Sequence, residues 1–138
     1  MAIVTGGTRG MGRSIVDQLG RDGSTVAFTH SNSDADAKEL ESKGDAQGRI
    51  LRGVRLDVTD DHAPRTLWDF AEGLGSVTAL VHNAGVTGPT RPFTDLTDDD
   101  LRRVIDVNLI APSACAVRSP DVGQAIHQAR RPRPGEPS

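Results

Sequence analysis

Tyrosine is absent from the 138 residues of this sequence, which also has only two lysines, three phenylalanines, one tryptophan and one cysteine. The single cysteine, Cys115, excludes a disulfide within the chain and offers no cluster of thiolate ligands, so we expect no metal site. The formal net charge of -3 provides no basic surface for nucleic acid. No apolar run approaches the roughly 20 residues of a membrane span, and the N-terminus lacks the pattern of a secretory signal. We therefore expect a cytoplasmic protein that binds neither nucleic acid nor a membrane.

The rest of the composition is that of a globular chain, with 36% hydrophobic and 25% charged residues over a length that suits one domain or part of one. Short apolar runs alternate with amphipathic stretches through about the first hundred residues. This alternation predicts βαβ units, in which helices cover a parallel sheet. We expect four strands, at residues 2–5, 25–29, 51–56 and 77–82.

Four helices are expected between and after these strands. The apolar spacing predicts that the first ends at residues 20–23 and that the second spans residues 33–44. The third is expected to begin with Thr59 as its cap. The fourth is expected to begin at Thr97, whose hydroxyl can accept a bond from the backbone amide three residues on, and its pattern decays after Pro112.

Four glycines stand between the first expected strand and the first expected helix. Three of them, Gly6, Gly10 and Gly12, follow the spacing Gly-x-x-x-Gly-x-Gly. There the first glycine lets the chain turn off the strand, the second lets the backbone approach a ligand, and the third lets the helix pack closely on the sheet. The helix N-terminus then offers unpaired amides and a partial positive charge to a pyrophosphate. The spacing differs from Gly-x-Gly-x-x-Gly and lacks the Gly-Lys-Ser/Thr of a P-loop, and a glycine-rich turn without a ligand is the alternative.

Three further motifs follow along the chain. Asp57-Val58 closes the third expected strand, residues 83–85 (Asn-Ala-Gly) close the fourth, and Asn108 lies in the fourth helix. With Thr5 and the three spaced glycines, these motifs make the sequence resemble the short-chain dehydrogenase/reductase family. The resemblance implies an α/β fold, a Rossmann-type doubly wound parallel sheet that is incomplete here, with about four strands in the order 3-2-1-4.

The resemblance also implies which residues bind a nicotinamide cofactor. In this family the carboxylate and the following amide at the Asp57-Val58 position bind the adenine, and the asparagine at the Asn108 position holds a water of the proton relay. Asn108 is therefore the expected catalytic residue. The expected cofactor-binding residues are Thr5, Gly6, Thr8, Arg9, Gly10, Met11, Gly12, His30, Ser31, Asp57, Val58, Asn83, Ala84 and Gly85.

Each of these motifs also has an interpretation without a ligand. Asp57 can simply cap a turn, and residues 83–85 can be a turn that ends a strand. Asn108 can bond to its own backbone. Arg9 and His30 can be ordinary surface side chains.

The end of the second expected strand bears on which dinucleotide is bound. An acidic residue there usually holds the ribose 2′-hydroxyl of NAD, but this sequence has His30-Ser31-Asn32 and no carboxylate until Asp34. Arg9, inside the glycine loop, can reach the same corner, and a guanidinium suits a 2′-phosphate. In the family that the sequence resembles, a basic residue just before the second glycine goes with NADP. We therefore predict NADP rather than NAD.

Carbonyl reduction in this family needs a tyrosine as proton donor, a lysine four residues later and a serine. The sequence has no tyrosine, and we assign no role to Ser113 or Ser119, so only Asn108 of the catalytic set is matched. The composition changes abruptly after about Arg118, which suggests a truncated or frame-shifted form of a longer reductase. We expect residues 1–118 to form the nucleotide-binding domain and the Arg/Pro-rich residues 119–138 to be a disordered tail.

Two functions stay open at this point. The first is an NADP-dependent oxidoreductase that transfers a hydride between nicotinamide and a small carbonyl or alcohol substrate, with the catalytic tyrosine missing from this chain. The alternative is a non-catalytic nucleotide-binding or partner-binding module. A remnant without function is a third interpretation. The fourth strand is expected to lie at an open edge of the sheet, which invites aggregation or self-association as a homo-oligomer and leaves the oligomeric state open.

Overall fold

Strands and helices alternate as far as residue 81, and helical elements follow. The computed structural model describes residues 1–117, and the tail expected at residues 119–138 lies outside them. The four strands are β1 (Ala2–Val4), β2 (Val26–His30), β3 (Leu51–Arg55) and β4 (Ala79–Val81). The five α-helices are α1 (Gly10–Arg21), α2 (Asp34–Ala46), α3 (Ala63–Glu72), α4 (Asp98–Ile105) and α5 (Ala111–Val117). A short 3₁₀ turn spans Phe93–Asp95, and a π-helical turn, Asp106–Ile110, joins α4 to α5.

The four strands form one parallel sheet in the order β3-β2-β1-β4, so the predicted fold and strand order are confirmed. Ile3 of β1 pairs with Ala27 of β2 on one side and with Leu80 of β4 on the other. Because β1 lies between strands that follow it in the sequence, the chain reverses its direction of winding there. In open α/β sheets, a crevice for ligands forms at such a reversal, outside the carboxyl ends of the strands.

Helices cover both faces of the sheet. Neighbouring residues of a strand point to opposite faces, so each strand contributes side chains to two apolar clusters. Val4 and Phe28 pack with residues of α1 and α2 on one face. Ile3 and Ala27 pack on the other face, against α3 and Cys115 of α5. The buried indole of Trp68 also donates a hydrogen bond to the Cys115 carbonyl oxygen at 3.0 Å, which fixes α5 against α3.

The chain turns sharply between β1 and α1, and two glycines make this turn possible. Gly6 has a φ of 67°, a backbone conformation that residues with a Cβ rarely adopt. Gly12 lies so close to the turn that a Cβ there would overlap the Gly6 carbonyl oxygen and the side-chain amide of Asn83. The helix therefore starts directly beneath the strand ends, as the glycine spacing predicted.

Helix α3 begins later than predicted, at Ala63 rather than after Thr59. The backbone N–H and the hydroxyl of Thr59 both donate to Asp57 Oδ1, so Thr59 completes a turn after β3 and does not cap a helix. Pro64 lies in the first turn of α3, where its missing N–H breaks no helical bond.

Thr97 caps α4 as predicted, and its hydroxyl accepts a bond from the Asp100 backbone N–H at 3.2 Å. The prediction that the helical pattern decays after Pro112 is wrong. A proline inside a helix has no N–H to donate, and its ring clashes with the preceding turn. Here the π-helical turn ends at Ile110, so Pro112 is the second residue of α5, where a missing N–H is tolerated, and the helix continues to Val117.

The remaining differences are at the ends of elements. Helix α1 ends at Arg21, within the predicted residues 20–23, whereas α2 extends two residues beyond Gly44 and β4 is shorter than the predicted 77–82. Within residues 1–117, no helix combines the length and the apolar character needed to cross a membrane.

Candidate functional site

A cavity of about 520 Å³ opens at the carboxyl ends of the four strands. A parallel sheet brings the segments that follow its strands to one edge, so side chains distant in sequence meet there. The residues lining the cavity are Gly6, Thr8 and Arg9 after β1; Thr29, Ser31, Asn32 and Ser33 at the end of β2; Asp57 and Val58 after β3; Asn83, Ala84, Gly85 and Val86 after β4; and Arg103 and Val107 from α4 and the π-helical turn.

The N-terminus of α1 lies at this cavity without a cap of its own. Arg9, at the cap position, makes no capping bond through its side chain, and the first turn contains no acidic residue. Among residues 1–117, no acceptor is recorded for the backbone N–H groups of Gly10, Met11 and Gly12. Helix α4 differs, because its first turn has both the Thr97 cap and three aspartates. The amides and the partial positive charge of α1 are therefore available to an anionic ligand.

The side chains of Thr5 and Asn83 lock the glycine turn to the segment after β4. The buried Thr5 hydroxyl accepts bonds from the backbone N–H groups of Asn83 and Ala84, both at 3.1 Å. The Asn83 amide donates to the carbonyl oxygens of Thr5 at 3.1 Å and Gly6 at 3.0 Å. Thr29 ties β2 to the same turn, because its hydroxyl accepts a bond from the Gly6 N–H at 3.0 Å. These bonds give the cavity floor one fixed shape.

Asp57 caps a turn and lines the cavity at the same time. Its Oδ1 accepts from the Thr59 N–H at 3.0 Å and from the Thr59 hydroxyl at 2.7 Å. These two bonds lower the pKa of Asp57, the backbone bond more than the hydroxyl; burial acts against them, and the charge of Arg103 adds to the lowering. Asp57 is therefore a carboxylate at neutral pH. Among residues 1–117, no donor is recorded for Oδ2, which is the acceptor available to a ligand.

The end of β2 presents small polar groups to the cavity and no acidic side chain. Ser31, Asn32 and Ser33 line the wall, whereas Asp34 turns away. One carboxylate oxygen of Asp34 lies 3.6 Å from His30 Nδ1, and the other lies 3.5 Å from the guanidinium of Arg55. His30 itself is buried and does not line the cavity.

Asn108 lies beside the cavity and holds its rim. Its side-chain Nδ2 donates to the Val86 carbonyl oxygen at 2.8 Å, and its Oδ1 accepts from the Val86 N–H at 2.9 Å. The amide thus pairs with the backbone of the segment after β4, and not with its own helix. This pair fastens the π-helical turn to the end of the sheet.

The structure brings most of the predicted binding residues together in the lining of the cavity, whereas six of the predicted residues do not line it. Gly6, Thr8, Arg9, Ser31, Asp57, Val58 and residues 83–85 line the cavity. Thr5 and Gly12 lie beneath it as packing and hydrogen-bonding residues, and Met11, in the first turn of α1, is 75% exposed. The predicted residues outside the lining are Thr5, Gly10, Met11, Gly12, His30 and Asn108.

Sequence reasoning missed the wall that α4 provides. Arg103 and Val107 are four positions apart and line the cavity from the same helical face. The i, i+4 spacing was visible in the sequence, but nothing there told which face of α4 would turn toward the strand ends. Thr29, Asn32, Ser33 and Val86 were also missed, each within two positions of a predicted residue.

His82 and Cys115 border a second, narrower cavity on the α5 side of the sheet. Burial lowers the pKa of His82 and raises the pKa of the Cys115 thiol. Both groups are therefore neutral at pH 7, and the thiol is not activated as a nucleophile.

The fold and the crevice together define a doubly wound α/β unit with a glycine-rich turn at its topological switch point. Residues 1–119 match the family model described as short chain dehydrogenase. The chain is 34% identical over 110 residues to the NADP-dependent (R)-specific alcohol dehydrogenase of Lentilactobacillus kefiri, covering 79% of this chain and 42% of that protein. It is 38% identical over 109 residues to a 2-dehydro-3-deoxy-L-rhamnonate dehydrogenase (NAD(+)) of a Sphingomonas species, covering 78% of this chain and 42% of that protein.

Solved structures show the same likeness. A short chain dehydrogenase from Burkholderia cenocepacia in complex with NADP superposes with a TM-score of 0.78 at 34% identity, covering 92% of this chain and 49% of that one. A blue fluorescent protein from a metagenomic library in complex with NADPH superposes with a TM-score of 0.78 at 35% identity, covering 95% of this chain and 51% of that one. The chain belongs to the short-chain dehydrogenase family, and it spans less than half the length of the curated relatives named above.

Proposed function

We propose that this chain binds NADP in the strand-end cavity and forms the cofactor-binding part of an oxidoreductase that acts on a small carbonyl or alcohol compound. The observation that carries the proposal is the single cavity that joins the uncapped N-terminus of α1, the Asp57 carboxylate and residues 83–85. Its volume of about 520 Å³ lies in the range of cofactor sites. When bound, the nicotinamide supplies or accepts the hydride.

The residues present suit the parts of a dinucleotide. The free amides at the start of α1 suit the pyrophosphate, because they are donors at the positive end of a helix dipole. The Asp57 Oδ2 and the Val58 amide suit the edge of the adenine, as the resemblance implies. Residues 83–85 and the Asn108 amide hold the wall further along the cavity, toward the substrate side.

Arg9 and Asp34 support NADP over NAD. Arg9 lines the cavity and offers a guanidinium to a 2′-phosphate. Asp34, the first carboxylate after β2, is engaged with His30 and Arg55 and does not reach the wall where a ribose 2′-hydroxyl would need it. Relatives named as NADP-dependent and as NAD-dependent both match this chain. The proposed preference for NADP therefore rests on Arg9 and Asp34 and not on these relatives.

Catalysis by this chain alone is a separate matter. The resemblance implies a tyrosine as proton donor, and the sequence has none. We therefore expect binding of the cofactor without turnover. That result would also favour the second candidate, a non-catalytic nucleotide-binding or partner-binding module, for which the exposed apolar side chains of α4 and the π-helical turn are the supporting observation.

Fluorescence titration with NADPH, with NADH as the control ligand, tests the proposal. We expect NADPH to bind about tenfold more tightly than NADH, because one charge-assisted contact with a phosphate has that effect. Arg9→Gln should remove most of this difference and leave the NADH affinity unchanged. Arg65→Gln is the matched control, because Arg65 is an exposed arginine on α3 whose partner is Asp69.

Equal affinity for the two cofactors would contradict the 2′-phosphate assignment. Failure to bind either cofactor would contradict the assignment of the cavity. NADPH oxidation assays with small ketones complete the test, since turnover by the chain alone would exclude the binding-only module.

We also propose the setting in which this function operates. The match to the family model supports a nucleotide-binding domain at residues 1–118. The free, buried Cys115 is consistent with the reducing cytoplasm. The unpaired outer edge of β4 and the apolar side chains of α4 support self-association.

A further inference from the structure

The cavity that Asp57 and Val58 line also carries a cation that the family motifs do not include. Arg103 is in the last turn of α4 and lines the cavity together with Val107, one helical turn further on. Arg102, its neighbour in sequence, does not line the cavity. The two arginines are therefore a natural pair for comparison, with the same side chain in adjacent positions and on different faces of one helix.

Arg103 also lacks the partners that hold the other arginines. Most arginines among residues 1–117 form ion pairs with aspartate or glutamate: Arg13, Arg21, Arg49, Arg52, Arg55, Arg65 and Arg91. In this part of the chain, no ion pair or side-chain hydrogen bond is recorded for Arg9, Arg102 or Arg103. Two of these three, Arg9 and Arg103, line the cavity.

The position of Arg103 in the cavity determines which part of a bound dinucleotide its guanidinium can contact. Arg9 is at the glycine turn, next to the serines that follow β2. Arg103 lines the same cavity as Asp57, close enough for its charge to lower the pKa of that carboxylate. Under the proposed function, Asp57 and Val58 hold the edge of the adenine. A planar guanidinium contributed to this part of the cavity by α4 can then lie against the face of the purine, where cation–π attraction and stacking operate together.

We propose that Arg103 is an adenine-binding residue, whose guanidinium covers the purine while Asp57 and Val58 hold its edge. The inference deepens the proposed function and rests on it. It gives Arg9 and Arg103 different tasks: Arg9 selects the 2′-phosphate, and Arg103 binds the adenine that NADP and NAD share. Loss of Arg103 should therefore weaken both cofactors by the same factor.

The test compares Arg103→Gln with Arg102→Gln in titrations with NADPH, NADH and 5′-AMP, the last read by calorimetry. We expect Arg103→Gln to weaken all three ligands roughly five- to tenfold, and Arg102→Gln to bind like the wild type. Arg103→Lys keeps the charge but loses the planar group, so it should recover only part of the affinity. Thermal unfolding of each variant shows that the folded state is retained, and Arg103→Lys serves if Arg103→Gln is unstable.

Three results would overturn the inference. The first is equal binding by Arg103→Gln and Arg102→Gln. The second is a loss confined to NADPH, which would place Arg103 at the 2′-phosphate. The third is full recovery in Arg103→Lys, which would make the contact a matter of charge alone. In these cases the selective effect of Arg9→Gln shows that the proposed function still stands, whereas a wild-type chain that binds none of the three ligands overturns both proposals.

Discussion

A single hydroxyl, that of Thr5, holds the floor of the cavity together. It is buried at the end of β1 and accepts two backbone N–H groups from the segment after β4. Thr5→Val keeps the shape of the side chain but leaves both donors without a partner, at a cost of about 1–3 kcal/mol for each. We expect the free energy of unfolding, measured by urea titration, to fall by about 2–6 kcal/mol.

Thr5→Ser provides the control for this prediction. It keeps the acceptor and removes one methyl group, so the loss should stay at about 1 kcal/mol. If valine costs no more than serine, the two hydrogen bonds to the Thr5 hydroxyl would contribute no more to stability than the single buried methyl group does.

Individual site residues differ in how far the sequence could predict their positions. Gly6, Asp57 and residues 83–85 directly follow strands, and a parallel sheet brings such segments to one edge, so their meeting at the cavity was predictable. The positions of His30 and Asn108 were harder to predict. His30 is the last residue of β2 and is buried with the rest of that strand, although its side chain is polar. Asn108 is bonded to Val86, 22 residues away, and no local pattern predicts such a pairing.

At the scale of elements, the approach of α1 to the sheet depends on Gly12. A Cβ at this position would overlap the Gly6 carbonyl oxygen, which is backbone and cannot rotate away. Gly12→Ala must therefore displace the start of α1. We expect a loss of about 1–3 kcal/mol in the free energy of unfolding, measured by urea titration, and a fall in NADPH affinity of at least about tenfold.

The matched control for Gly12 is Ser14→Ala in the same helix, whose side chain is exposed. It should change the free energy of unfolding by less than about 0.5 kcal/mol. Tight NADPH binding by Gly12→Ala would show that the position of α1 is less important to the site than its contacts suggest.

The elements themselves were largely predictable, because their apolar residues recur with the period of a strand or a helix. The start of α3 and the course of the chain after Pro112 were not. Thr59 has the side chain of a helix cap, but the Asp57 carboxylate takes both of its donors. A proline normally ends a helix, but Pro112 lies in the first turn of α5, directly after the change from π-helical to α-helical bonding, where a missing N–H is tolerated. In both cases a neighbouring contact overrides a sound local rule.

At the scale of the whole molecule, the two edges of the sheet differ in how many large apolar side chains are exposed near them. Strand β4 is an edge strand of the sheet, and the segment that follows it is bonded to Asn108 in the π-helical turn after α4. Large apolar side chains of α4 and the π-helical turn are 42–59% exposed: Leu101, Ile105, Leu109 and Ile110. At the opposite edge, beside β3, Ile50 is the exposed large apolar residue. Contiguous apolar surface next to an open strand edge is typical of an interface.

We therefore predict that the chain associates with itself through the β4 and α4 edge. Ile105 and Ile50 are both 49% exposed, so they allow a comparison of the same side chain at two edges. In sedimentation velocity, the wild-type sedimentation coefficient should rise with concentration. Ile105→Lys should weaken association about tenfold or more, because it places a charge within the buried surface, whereas Ile50→Lys should behave like the wild type. A wild-type chain that stays monomeric throughout, or equal effects of the two lysines, would show that the exposed face of α4 does not bind a second copy.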